Sequence, residues 1–315
     1  MHYKPTLLVA GCLLLLVHGS ARSLTGGEYV GADDIGARAS VSIYYKGSPS
    51  CGGVVIEDRY ILTAAHCLTD GNGEVDVEPD DIEVYYWSSG KSESRSVEEI
   101  AVNDNYLFQE RETKRLGANA WNFDNFPVNH EDIAVLKIEG THPAGAISAF
   151  LPDIVNDYTS ESGSGDATWF YMYGSSVNGA PGKLQRALIG HYGTLDRVVP
   201  GEAPNIMRPT RQMTTIPSDN GFDKRVSQCK GDSGSGVFLV KSDGLAYSEE
   251  PEKLPTDLQL KEGHPVLVGL IVNFPVEDES QMNAACGLYV KAVGFRATRV
   301  DYYHEWILSK IKELQ

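Results

Sequence analysis

The chain has 315 residues, of which 42% are hydrophobic and 22% charged, enough for one large domain or two small ones around a sizeable core. Its formal net charge of −16 repels phosphate backbones and argues against a nucleic-acid partner. Thirty-two glycines and short apolar runs favour an all-β chain with many turns over a helical bundle.

The first residues read as an address. His2 and Lys4 precede an apolar run from Thr6 to Val17, and small residues follow at Gly19, Ser20, Ala21 and Ser23. This is the layout of a secretory signal peptide, residues 1–23, with Ala21 as the alternative end. The run is shorter than the roughly 20 residues of a comfortable bilayer span, and no later segment is long and apolar enough to cross. The expectation is a secreted, extracellular protein with no membrane partner. Removing the leader removes Cys12 and leaves Cys51, Cys67, Cys229 and Cys286. An even number in an oxidising compartment predicts two disulfides, with three pairings open. There is no C-x-x-C pair and no H-E-x-x-H, so no metal is expected.

Strand-like runs then recur: residues 39–45, 53–56, 60–62 and 82–87, and later 133–138, 168–173, 236–240 and 266–272. Gly, Asn, Asp and Ser clusters punctuate them, the pattern of a sandwich or barrel. Residues 69–81, 103–129 and 242–263 read as exposed loops. Tyr303, Trp306, Ile307, Leu308 and Ile311 give the tail one apolar helical face, with lysines near its end that suit the helix dipole.

Three segments carry chemistry. In Cys51-Gly-Gly-Val-Val-Ile-Glu-Asp-Arg-Tyr-Ile-Leu-Thr-Ala-Ala-His66-Cys67, a strand leads into a small-residue turn that presents one histidine. In Asn129-His-Glu-Asp132-Ile-Ala-Val-Leu-Lys-Ile138, a carboxylate at the mouth of an apolar strand is placed to accept from an imidazole and fix its tautomer. In Cys229-Lys-Gly-Asp-Ser233-Gly-Ser-Gly, glycines permit a strained turn. The N–H groups of Gly231 and Ser233 are then free to stabilise an oxyanion, while serine needs a base to become a nucleophile. Each segment alone has a bland reading as turn or loop.

Together, T-A-A-H-C, D-I-A-V-L and G-D-S-G in that order, with cysteines beside the first and last, resemble the chymotrypsin–trypsin family of serine proteases. The resemblance covers nearly all of the chain after the leader. It implies an all-β fold of two six-stranded antiparallel barrels with a C-terminal α-helix and the active site between them. The barrels would span about 24–145 and 146–296, and the helix about 298–314. His66 would be the general base, Asp132 its orienting partner and Ser233 the nucleophile, with Gly231 and Ser233 as the oxyanion hole. The implied disulfides are Cys51–Cys67 and Cys229–Cys286. The implied partners are protein or peptide substrates and proteinaceous inhibitors, with no cofactor and a monomeric chain.

Leu24-Thr25-Gly26-Gly27 resembles, with two substitutions, the family's activating N-terminus, whose amine would pair with Asp232. Cleavage just before Leu24 would let the leader peptidase itself create that terminus. The substrate-binding positions implied are Ser227, Gln228, Lys230, Asn273, Phe274 and Gly287. Ser227 stands at the base of the pocket, where trypsin-like members carry aspartate, so cleavage after Arg or Lys is not expected. Pro275 stands where a glycine N–H would bind substrate backbone, and proline has none to give. Ser235 and Gly236 replace the family's glycine and proline, a swap expected to alter packing more than chemistry.

The segment Asp70-Gly-Asn-Gly-Glu74-Val-Asp76 has alternating oxygen ligands, but lacks the glycine an EF-hand needs at its sixth position and reads as a solvated loop. No N-x-S/T sequon occurs. Two rival readings are a catalytically silent homologue acting as a binding or decoy protein, and a lipase or esterase. The latter is opposed by the order His, Asp, Ser and the β-rich surroundings.

Overall fold

The computed structural model describes residues 24, 27–70, 73–87, 93–115, 131–152, 167–174, 184–192, 206–207, 229, 231–239, 264–273 and 296–315. The described chain opens with a two-residue strand, β1 (Glu28–Tyr29), and a short helix, α1 (Ile35–Ala39). Six strands follow: β2 (Ser40–Tyr45), β3 (Ser48–Glu57), β4 (Tyr60–Thr63), β5 (Ile82–Tyr86), β6 (Glu93–Val102) and β7 (Ala134–Ile138). They close into an antiparallel barrel in the order β2-β3-β4-β7-β6-β5.

The remaining strands are β8 (Ala167–Gly174), β9 (Gln185–Tyr192), β10 (Ile206–Met207), β11 (Gly236–Leu239), β12 (Leu267–Asn273) and β13 (Arg296–Arg299). With β1 they form a seven-stranded antiparallel sheet, in the order β1-β9-β8-β11-β12-β13-β10. Residues 28–29 therefore pair with the second sheet, although the sequence groups them with the first barrel.

The side-chain alternation of the strands explains how the two bodies meet. Val55, Ile61 and Leu136 point into the closed barrel beside Val41, Ile43 and Val84. Their neighbours Val54, Ile56, Leu62 and Val135 point outward, onto Tyr173, Phe238, Leu267 and Leu270 of the second sheet. Strands buried on both faces read as continuous apolar runs, which is why β4 and β7 are evident in the sequence. β6 shows the opposite case. Only its residues Val97 and Val102 are buried, so Glu93-Ser-Arg-Ser-Val-Glu-Glu gives a weak strand signal.

Two expectations need correction. The loop expected over 103–129 begins with a twelve-residue helix, α2 (Asp104–Arg115). Asn103 starts it, its side-chain oxygen accepting from the N–H of Asn105 at 2.9 Å. The rest of that loop lies outside the described residues. The C-terminal helix, expected from about 298, starts later: α3 spans His304–Glu313, after a 3-10 turn at Asp301–Tyr303. Thr298 and Arg299 are still held in the ladder between β12 and β13. Ile307 and Ile311 of α3 dock on the core shared by the two bodies.

One polar knot in the first body carries a histidine whose pKa is lowered by burial. Tyr86 is buried, which pushes its phenol pKa up and keeps its proton on. Its hydroxyl lies 2.7 Å from His142 Nδ1, and His142 Nε2 lies 2.5 Å from the Glu57 carbonyl oxygen. The consistent tautomer is neutral, with Nε2–H donating to Glu57 and Nδ1 accepting from Tyr86. Burial lowers the His142 pKa below its ordinary value, against a raising contribution from the Glu57 carbonyl. The unfolded imidazole titrates near 6.5. Folding thus favours the neutral form. The stabilisation is complete above about pH 6.5 and is lost as pH falls through that value toward the lower folded pKa. Urea midpoints measured between pH 7.5 and 5 should fall further for the wild type than for His142→Gln. Parallel curves for the two proteins would refute this role.

Candidate active site

The candidate site is assembled from the ends of elements. β4 ends at Thr63, and Ala64 and Ala65 have zero exposure. With no bulky side chain to place there, the chain makes a tight 3-10 turn over Ala65–Cys67. Cys67 is joined to Cys51 of β3, which ties the turn to the barrel wall. In the chain-entropy account a loop of about 15 residues closed this way contributes about 3 kcal/mol.

Asp132 lies two residues before β7 and is 5% exposed. Its carboxylate receives His66 twice: the backbone N–H donates to Oδ1 at 2.9 Å, and Nδ1 lies 2.6 Å from Oδ2. A buried carboxylate on Nδ1 fixes the tautomer with its proton there and leaves Nε2 as the basic nitrogen. The imidazole side chain is one-third exposed, so Nε2 faces a place that a substrate can reach.

Ser233 lies in a turn between Cys229 and β11. Most amides of this turn are spent on protein acceptors. Cys229 N–H donates to Asp232 Oδ2 at 2.7 Å, Asp232 N–H to the Cys229 carbonyl, Gly234 N–H to the Ile271 carbonyl and Ser235 N–H to the Asp232 carbonyl. Among the described residues, the N–H groups of Gly231 and Ser233 have no protein acceptor. Gly231 has φ +97° and Gly234 φ +78°, conformations that favour glycine. Gly52 of β3 donates its N–H to the Ser233 carbonyl at 2.7 Å, clamping the turn against the first barrel. The Ser233 hydroxyl donates to the Val272 carbonyl oxygen at 3.3 Å.

Beside Ser233, Asp232 has zero exposure. The backbone N–H of Leu24, itself fully buried, donates to Asp232 Oδ2 at 3.4 Å. Gly174 makes room for this contact. A Cβ there would fall 2.4 Å from Asp232 Oδ1 and 2.8 Å from Leu24 Cγ.

The family model described as Trypsin matches residues 30–246, which include His66, Asp132 and Ser233. The chain belongs to the trypsin family. Its closed six-stranded barrel, second sheet and C-terminal helix are the trypsin-like fold. No curated protein matches the chain.

Some positions carried over from the trypsin family cannot be placed. Ser227, Gln228, Lys230, Phe274, Gly287 and Pro275 lie outside the described residues, as does the side chain of Asn273, which ends β12 opposite Arg296. Cys229 is disulfide-bonded, and Cys286 lies outside the described residues. In the Asp70–Asp76 segment, Asp70 N–H donates to the Glu74 carbonyl and Glu74 N–H donates to Asp70 Oδ1. Among the described residues, the one cluster compact enough for a metal is Cys51, His66 and Cys67, and its two sulfurs are in the disulfide. No helix among the described residues is long and apolar enough to cross a membrane.

Three contributors escaped the sequence reading. Gly52 holds the Ser233 turn, Gly174 holds open the space at Asp232, and Val272 supplies the acceptor of the Ser233 hydroxyl. The C-G-G at Cys51 was the available signal for Gly52, since paired glycines in a strand mark close backbone approach. Gly174→Ala should displace Leu24 or Asp232 and slow phosphonate labelling of Ser233 about 100-fold, because misplacement by about 1 Å costs that much. Labelling kinetics on the purified protein check this, and an unchanged rate would uncouple the Leu24–Asp232 contact from Ser233.

Proposed function

We propose that the chain is a secreted serine endopeptidase that works through an acyl-enzyme. The observation that carries the reading is a convergence. His66 is doubly held by a buried carboxylate, and beside it a turn offers a serine and two amides that have no acceptor among the described residues.

In this reading Ser233 rotates from the Val272 carbonyl toward His66 Nε2 and loses its proton to it. The Oγ attacks the scissile carbonyl carbon, and the oxygen gains negative charge between the N–H groups of Gly231 and Ser233. Asp132 stabilises the imidazolium without taking the proton. Collapse breaks the C–N bond, and His66 gives its proton to the leaving amine. Water, deprotonated by His66, then releases the acid and restores Ser233.

Leader removal before Leu24 fits this scheme. A peptide N–H carries no charge, whereas the same nitrogen as a free terminus is cationic and answers the buried Asp232 carboxylate directly. Leu24 also has φ +31°, an unfavourable value for a non-glycine residue, and a free terminus has no φ to constrain. A neutral Ser227 at the pocket base supports preference for an uncharged, medium or large side chain before the scissile bond.

A second reading, a catalytically silent binding homologue, is favoured by one observation: the Ser233 hydroxyl donates to Val272, although catalytic hydrogen bonds are often loose before substrate binds. A fluorophosphonate probe separates the two. The secreted wild type should label at one site, Ser233→Ala should not, and a peptide library should show cleavage after uncharged residues. A folded wild type starting at Leu24 that resists the probe would be the silent homologue.

A further inference from the structure

We propose that Thr298 is a positioning residue for the triad, acting from the second sheet on the backbone of Asp132. The inference rests on the peptidase reading above. Thr298 sits in β13, with register partners Leu270 on one side and Ile206 on the other. Strand alternation turns its neighbour Ala297 into the second body's core, with Leu24 and Ile271, and so sends Thr298 the opposite way. There the Thr298 hydroxyl, fully buried, donates to the carbonyl oxygen of Asp132 at 3.1 Å. A hydroxyl removed from water needs a protein partner, and the partner is the residue that orients His66.

Asp132 is thus held from both bodies. Its carboxylate is engaged by His66 of the first barrel. The peptide that carries this carbonyl is tied at its other end, Ile133 N–H to the Glu131 carbonyl, and the one after it by Asn103 N–H to the Ile133 carbonyl. Thr298 supplies the grip from the other side of the seam. Asp132 precedes the first ladder pair of β7, which joins Ala134 to Thr63 and Val102, so strand pairing does not fix its carbonyl. Without the hydroxyl this peptide loses its hold across the seam, and a tilt about the Ile133–Glu131 contact shifts the carboxylate on the imidazole. His66 then loses orientation, while the pocket that binds substrate is untouched. The signature is a loss in kcat with KM unchanged.

The test compares Thr298→Ser, Thr298→Ala and Thr298→Val in the full secreted chain, with active sites counted by fluorophosphonate titration. Serine and alanine lose the same methyl group, so their difference isolates the hydroxyl. Valine keeps the shape and loses the bond. Thr298→Ser should keep kcat within about twofold. Thr298→Ala and Thr298→Val should lower it about tenfold or more at constant KM, since small misalignments have effects of this order. Equal kcat for the serine and alanine variants overturns the role, and that pair decides even where the valine variant does not fold. A rise in KM that accounts for the loss also overturns it. A wild type that neither labels nor turns over sinks the peptidase reading itself. A labelled wild type with indifferent variants sinks only the part assigned to Thr298.

Discussion

Taking an aspartate wholly out of water costs several kcal/mol unless its charge is met by donors. Asp232 is in that position, immediately before Ser233. Its Oδ2 collects the N–H of Cys229 and of Leu24, and its carbonyl receives Ser235 N–H. The demand for donors therefore dictates the path of the turn from Cys229 to Ser235. That path spends the amides at 229, 232, 234 and 235 and leaves those at 231 and 233. An electrostatic requirement at one side chain is thus converted into the placement of two backbone dipoles. The weakest of the donors is Leu24, at 3.4 Å and as a neutral amide. It is also the one that would gain a charge under the proposed cleavage before Leu24, so the turn would gain most from a cut there.

The site also depends on how closely two strand systems approach. Gly234 packs so tightly that a Cβ would fall 2.3 Å from Thr63 Oγ1 and 2.4 Å from the Gly52 carbonyl oxygen. Thr63 in turn donates to that same carbonyl at 2.8 Å. The Ser233 turn is therefore pressed on the first barrel by backbone contact, and anchored to the second sheet by Gly234 N–H on the Ile271 carbonyl. The hydrophobic seam of Val54, Leu62, Val135, Phe238 and Leu270 brings the bodies together. It is non-directional, and the register of the reacting groups comes from these few hydrogen bonds.

What was legible in the sequence follows from this division. Local requirements left local marks: small residues before His66, glycines around Ser233, an apolar run after Asp132. Strands buried on two faces were clear, and those with a solvent face were not; β6 alternates poorly because its outer side is charged. α2 carries Gln-Glu-Arg-Glu-Thr-Lys-Arg, with no apolar stripe to announce a helix, and begins at a capping asparagine that also reads as a turn. Thr298 lies 166 residues from the backbone it holds, and no short-range pattern signals such a pair. Gly174 is one glycine at the end of an aromatic strand, and its role shows only when Leu24 and Asp232 are seen against it.

The exchange of glycine and proline for Ser235 and Gly236 illustrates how a departure from family pattern is absorbed. A Cβ at Gly52 would lie 2.0 Å from the Ser235 hydroxyl oxygen, so the serine occupies space that Gly52 leaves open. A Cβ at Gly236 would lie 2.5 Å from the Phe238 ring, so the aromatic fills the volume a proline would take. Side-chain volume has been moved along the turn and across the seam, as close-packed interiors tolerate when total volume is kept. Backbone hydrogen bonds run beneath it: Ser235 N–H closes the turn on the Asp232 carbonyl, and the Ser235 carbonyl receives Ile271 N–H. Because the two unspent amides lie upstream of the exchange, repacking at 235 and 236 leaves their directions to Asp232 and Gly52.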